Sequence, residues 1–123
     1  MVGFAFKGWP ETSDMRDSPT LELQKLLQSA GVEITGFDPV VKAQYLDQIE
    51  GVQSVSVEEG FKGADAVFVM NNHPSHEDWN LFSLLDTMNK PGLFLDGWSM
   101  FRVDEVDRVE GISYSTVSKD WWK

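Results

Sequence analysis

The sequence predicts an open, mainly parallel α/β sheet with helices on both faces, a three-layer α/β/α sandwich of Rossmann-like type. Three observations carry that prediction. Short apolar runs alternate with amphipathic stretches, the runs are nearly all apolar as in strands covered on both faces, and each ends abruptly in a turn-forming or polar segment. At 123 residues, with 41% hydrophobic and 24% charged residues, the chain has the size and make-up of one globular domain. No linker-like or low-complexity stretch interrupts it, so residues 1–123 are expected to form a single domain around one core.

The elements follow in order. Val2, Gly3, Phe4, Ala5 and Phe6 form the first apolar run and read as a central strand. After a polar loop, Ser18 is placed to cap a helix with Pro19 at its first position, where a missing N–H costs nothing. Leu23, Leu26, Leu27 and Ala30 recur as one apolar stripe, and Gly31 ends the helix. Val32 to Phe37 reads as a second strand, stopped by the Asp38-Pro39 turn and followed by an irregular helix over Val41 to Ile49. Val52 to Val55 predicts a short strand, and Val57 to Phe61 predicts one or two helical turns closed by Gly63. Ala66 to Met70 is a strongly apolar strand that stops at Asn71-Asn72-His73-Pro74. Leu81, Leu84, Leu85 and Met88 define another amphipathic helix, broken by Pro91-Gly92. Leu93 to Leu95 predict a strand ending at Asp96-Gly97, and Ile112 to Val117 a last, more exposed one.

Composition removes several function classes. The chain has no cysteine, so it supplies no disulfide, no thiolate metal ligand and no thiol nucleophile. A net charge of −10 opposes nucleic acids and acidic membrane surfaces, which need clustered Lys and Arg. No apolar run approaches the ~18 residues of a membrane span, and the first residues lack the pattern of a signal peptide. An intracellular, cytoplasmic protein is expected. A small anionic ligand remains compatible with this charge, provided that a local pocket of positive potential receives it.

In a doubly wound sheet, ligands bind beyond the carboxyl ends of the strands, where the strand order reverses. That rule selects Lys7 to Arg16, Asp38, Asn71 to His76 and Asp96 to Phe101. The spacing Gly3-x-x-x-x-Gly8 is neither the dinucleotide fingerprint nor a P-loop, and Asp38 before Pro39 reads as a turn or cap residue rather than a ribose ligand. Lys7, following the central strand, is either a solvated strand-end lysine or an ammonium that meets a phosphate in the crevice. Arg16 is either a second anion contact or the partner of Asp14 or Asp17. His73, His76, Glu77 and Asp78 are metal-capable, but their spacing favours a solvated loop or helix cap, and no metal site is expected. Trp79 is expected to lie over the core edge. Asp96-Gly97-Trp98 is either a tight turn or a crevice wall where Trp98 stacks on a ring. Trp121-Trp122 would pack under the sheet edge, bind a partner or meet chain beyond this sequence.

The stretch GFAFKGWPETSDMRDSP, followed by AGVEITGFDPVV, GADAVFVMNNHPSHEDWNL and KPGLFLDG, resembles the C-terminal, nucleotide-sugar-binding domain of the UDP-glucose/GDP-mannose dehydrogenase family. The order G-[LF]-[AS]-F-K, spacer, D-x-R-x-S-P and then a D-P strand end is specific to that family. The resemblance covers essentially the whole chain. It implies an NAD-dependent nucleotide-sugar 6-dehydrogenase that turns a sugar C6 alcohol into a carboxylate for polysaccharide or glycan precursors. In such enzymes an N-terminal domain holds NAD, a central segment forms a homodimer, and a cysteine attacks the oxidised sugar through thiohemiacetal and thioester stages. By resemblance this chain binds the UDP-sugar, or GDP-sugar, and is silent alone, with no catalytic residue of its own. Phe6 and Lys7 correspond to substrate contacts and Arg16 to the arginine facing the NAD side, whereas Asp14 and Ser18 shape the loop and cap the helix. Two departures stand out. The spacer holding Trp9 and Pro10 is longer than usual, and Trp98 stands where an arginine usually contacts substrate. The rival reading, motivated by Trp98 and the acidic surface, is a free-standing domain that binds a nucleotide or a protein without catalysis.

Overall fold

The computed structural model describes residues 1–5, 13–15 and 18–116. Among them, α1 spans Pro19–Ser29, β1 Ile34–Gly36, α2 Ala43–Leu46, β2 Val52–Ser54, α3 Val57–Phe61 and β3 Ala66–Val69. A 3-10 helix over Pro74–Asp78 then leads to α4 at Leu81–Asp86, β4 at Gly92–Asp96, α5 at Val103–Val106 and β5 at Ile112–Thr116. β1 pairs with β2, and β3–β4–β5 form a second sheet, all in parallel.

The N-terminal segment joins the two sheets. Val2 bridges Phe37 on one side and Val69 on the other, both in parallel, with Val2 N–H donating to Phe68 O at 2.8 Å and Gly3 N–H to Phe37 O at 2.9 Å. The spatial order is therefore β2, β1, Val2, β3, β4, β5, and the chain steps outward first to one side and then to the other. Helices α1 and α2 pack with one core cluster, and α4 and α5 with the other. The expected α/β architecture holds, with the direction of winding reversing between Val2 and β3.

The expectations for the first segment, the core and the buried face of the first helix need correction. The first segment contributes a single rung rather than a strand through its described residues, because Gly3 turns the backbone to φ +91° and leaves the extended region. The core is divided, as a sheet covered on both faces requires. Phe4, Ala5, Ile34, Val41, Leu46 and Val52 pack together on one side. A larger cluster built on Phe61, Val69, Leu85, Phe94 and Val106 fills the other.

Helix α1 starts as its sequence predicts. Ser18 Oγ accepts from Thr20 N–H and Pro19 occupies the first turn. Its buried face is different from the leucine stripe, because Thr20 and Gln24 are buried while Leu26 is 69% exposed. Hydrogen bonds set this rotation. Thr20 Oγ1 donates to Gly3 O at 2.7 Å, and Gln24 Nε2 donates to Glu50 O at 2.8 Å and Gln28 Oε1 at 2.9 Å. Leu21 and Leu27 contribute the partly buried apolar contacts. The remaining helices follow their spacing: α3 carries a Ser56–Glu59 capping box, and Leu81, Leu84, Leu85 and Met88 are buried.

Candidate functional site at the carboxyl ends of the strands

The winding reverses between Val2 and β3, and the carboxyl ends of the strands beyond that point are where open α/β sheets receive ligands. Three buried polar residues converge there. Asp38 follows β1, Asn71 follows β3, and His76 sits in the 3-10 helix. Asp38 Oδ1 accepts from Val40 N–H at 2.8 Å and Val41 N–H at 3.0 Å, which makes it the turn residue that its Asp-Pro context predicts. Its Oδ2 accepts from Phe4 N–H at 2.8 Å and Ala5 N–H at 2.9 Å, so one carboxylate also holds the end of the N-terminal segment. With both oxygens committed to backbone donors, Asp38 has no free edge for a ribose diol.

Asn71 completes this arrangement. Its Nδ2 donates to Asp38 Oδ2 at 3.3 Å, and its Oδ1 lies 2.9 Å from His76 Nε2. Gly3 makes room for it, because a Cβ there would stand 2.6 Å from Asn71 Cγ. Burial, reinforced by the neighbouring His73, lowers His76 from the usual 6.5 to about 4, against the opposing pull of Asp38 and Asp96. The His76 ring is therefore neutral near pH 7. His73 caps the 3-10 helix by accepting from Ser75 N–H at 3.1 Å. No group of metal-ligating residues assembles among the described residues.

A second buried carboxylate shapes the next turn. Asp96, at the end of β4, accepts from Trp98 N–H at 3.2 Å through Oδ1. Through Oδ2 it accepts from Phe101 N–H and the Tyr114 phenol, each at 2.8 Å. Phe101 is further held by ring stacking with Trp79 at 5.7 Å and an edge contact with Phe94 at 5.4 Å, so Trp79 does cover the core edge. Trp98 is thus part of a tight turn. Its indole N–H donates to Met70 O at 2.9 Å while the side chain remains 48% exposed, which leaves ring surface available at the crevice.

Of the residues expected to contact ligand, only Trp98 lies within the described part of the chain. Phe6, Lys7 and Arg16 lie outside the described residues, as do Trp9, Pro10, Trp121 and Trp122. The sequence reading missed the Asp38–Asn71–His76 constellation, although the abrupt polar stop after Met70 was its signal. A cavity of about 680 Å³ runs along the sheet face beside β1, α3 and β3. Asp38, Asn71 and Asp96 do not line it, so its size gives no reason to move the ligand site there.

Comparison with known proteins agrees with this architecture. Residues 1–103 match a family model described as the UDP-glucose/GDP-mannose dehydrogenase family, UDP binding domain. A UDP-glucose 6-dehydrogenase of Rhizobium meliloti (strain 1021) is 33% identical over 126 residues, covering 97% of this chain and 26% of that protein. UDP-glucose 6-dehydrogenase YwqF of Bacillus subtilis (strain 168) is 27% identical, with 97% of this chain and 27% of that protein covered. A UDP-N-acetyl-D-mannosamine dehydrogenase of Pyrococcus horikoshii (strain ATCC 700860 / DSM 12428 / JCM 9974 / NBRC 100139 / OT-3) is 28% identical over 83% of this chain and 22% of its own length. The chain therefore spans about a quarter of the length of these curated relatives. A family match over most of the chain, on a parallel α/β arrangement whose winding reverses beside buried polar residues, shows that this chain belongs to the UDP-glucose/GDP-mannose dehydrogenase family.

Proposed function

We propose that this chain is the nucleotide-sugar-binding domain of an NAD-dependent nucleotide-sugar 6-dehydrogenase, acting on a UDP-sugar in preference to a GDP-sugar. The family match over residues 1–103 carries the reading. Lys7 supplies an ammonium to the diphosphate, Phe6 and Trp98 line the substrate, and Arg16 faces the cofactor side once the enzyme is assembled. The described crevice suits this division. Asp38 is consumed by backbone donors, which supports a cofactor held by the remainder of the enzyme rather than by this sheet.

Conversion of the C6 alcohol to a carboxylate removes two hydrides and adds the oxygen of water. Two molecules of NAD, used in turn, accept one hydride each. Because this chain has no cysteine, the thiol that holds the sugar between the two oxidations comes from elsewhere in the enzyme. The domain contributes binding and orientation, and by itself it does not oxidise the sugar. In the assembled, homodimeric enzyme its part is to fix the nucleotide so that the C6 carbon reaches the thiol.

The test is calorimetric titration of the chain with UDP, GDP, a UDP-sugar and NAD. Uridine nucleotides are expected to bind best, and Lys7→Ala to weaken them about tenfold through loss of a charged hydrogen bond. Absence of uridine nucleotide binding at millimolar concentration would overturn the reading.

A further inference from the structure

The geometry points to Asn71 and His76 as positioning residues for the nucleotide site, which together fix the Phe4–Ala5 backbone from which the chain enters Phe6 and Lys7. The inference rests on the nucleotide-binding reading above, and it concerns residues that touch no ligand themselves.

Asp38 Oδ2 gathers three donors: Phe4 N–H, Ala5 N–H and the Asn71 amide. A carboxylate accepts and never donates, so the Asn71 amide must turn its nitrogen towards Asp38 and its oxygen away. His76 complements that choice, beside a longer contact from His73 N–H at 3.5 Å. The His76 Nε2 faces Asn71 Oδ1, an oxygen with no hydrogen to give, so Nε2 carries the ring proton. Nδ1 is then a bare acceptor, buried without a hydrogen-bond partner. An apolar ring would avoid this unsatisfied nitrogen, which costs stability. What the imidazole supplies in exchange is the short donor that holds Asn71 Oδ1, and with it the amide that faces Asp38.

The first segment is built to receive the amide. Gly3 adopts φ +91° and has no Cβ, so Asn71, only 1% exposed, lies directly against the backbone that leads to Ala5. The contact spans the winding reversal. Asn71 belongs to the β3 side, Asp38 to the β1 side, and the segment between them is the one whose sequence continues into Phe6 and Lys7.

Asn71→Asp separates positioning from general packing. The titratable groups around this position are Asp38, His76, His73 and Asp96. At about pH 8 the introduced carboxylate repels Asp38, and UDP affinity relative to wild type is expected to fall roughly tenfold. Towards about pH 5 adjacent carboxyls share a proton, the introduced group donates as the amide did, and the deficit closes. His76→Phe keeps a ring in place but removes the donor, and is expected to weaken UDP about threefold with no recovery at low pH. Amide hydrogen-exchange protection at Phe4 and Ala5, measured on the same samples without ligand, should fall and recover in parallel. Undiminished protection in both variants, or an Asn71→Asp deficit that does not change with pH, would overturn the positioning role. Wild-type protein that shows this protection pattern yet binds no UDP would instead overturn the nucleotide reading.

Discussion

Tyr114 on β5 donates its phenol to Asp96 Oδ2 at 2.8 Å, tying the edge strand to the turn that carries Trp98. The same oxygen accepts from Phe101 N–H, so one carboxylate positions two elements. Burial and then the adjacent Asp96 raise the Tyr114 phenol from 10.0 to about 12. An alkaline ultraviolet titration should show a phenolate appearing near pH 12 that Tyr114→Phe removes. The unfolded chain releases this proton first, so the stabilisation is whole below about pH 10 and is lost as pH rises towards about 12. At neutral pH, Tyr114→Phe is expected to cost about 1–2 kcal/mol, read from a urea unfolding midpoint.

His76 makes the opposite contribution at acid pH. Its folded value of about 4 lies below the ordinary 6.5, so the unfolded chain takes up the proton first as pH falls. The His76 contribution is whole above pH 6.5, declines down to about pH 4 and then flattens. The loss amounts to roughly 3 kcal/mol over that window. Thermal melts from neutral to pH 4 should show this slope in wild type and its near disappearance in His76→Phe. A slope unchanged by the substitution would mean that other groups carry the acid sensitivity.

Helix α1 yields a prediction against its own sequence pattern. Leu26 belongs to the apolar stripe yet is exposed, whereas Thr20 is buried with its hydroxyl on Gly3 O. Leu26→Lys is therefore expected to change stability by less than about 0.5 kcal/mol. Thr20→Val, which keeps the shape and removes the hydroxyl, should cost about 1–3 kcal/mol by leaving a buried carbonyl unpaired. Urea denaturation of the two variants decides between the faces, and the reverse ranking would return the leucine stripe to the core.

The contrast shows where the sequence is legible and where it is not. Periodicity identifies α1, α3, α4 and each parallel strand, because covered strands and amphipathic helices carry their burial in local spacing. It does not specify the rotation of α1, which depends on a hydrogen bond from Thr20 to Gly3 across the loop. The strand-end rule selects Asp38, Asn71, His76 and Asp96 as neighbours of a crevice. Their bonding is hidden from it, since Asp38 meets Phe4 and Asn71 only after the sheet has brought three distant segments together. The Asp-Pro turn is local and readable, and the second oxygen's task is not.

Trp98 offers a test of the proposed ligand site in two directions. Its backbone is fixed by Asp96 and its indole N–H by Met70 O, so the exposed ring is held at the crevice rather than free to swing. If the ring stacks on the nucleotide sugar, Trp98→Ala should weaken UDP-sugar binding by about 1 kcal/mol, or about fivefold. Trp98→Arg replaces a neutral surface with a cation able to pair with a diphosphate. It should tighten UDP binding by roughly tenfold at low salt, with the gain shrinking as salt screens the exposed charge. Neither substitution touches the buried Asp96 carboxylate, so melting temperatures should remain close to wild type. Calorimetry at two salt concentrations reads both effects, and affinities unchanged in both variants would remove Trp98 from the ligand site.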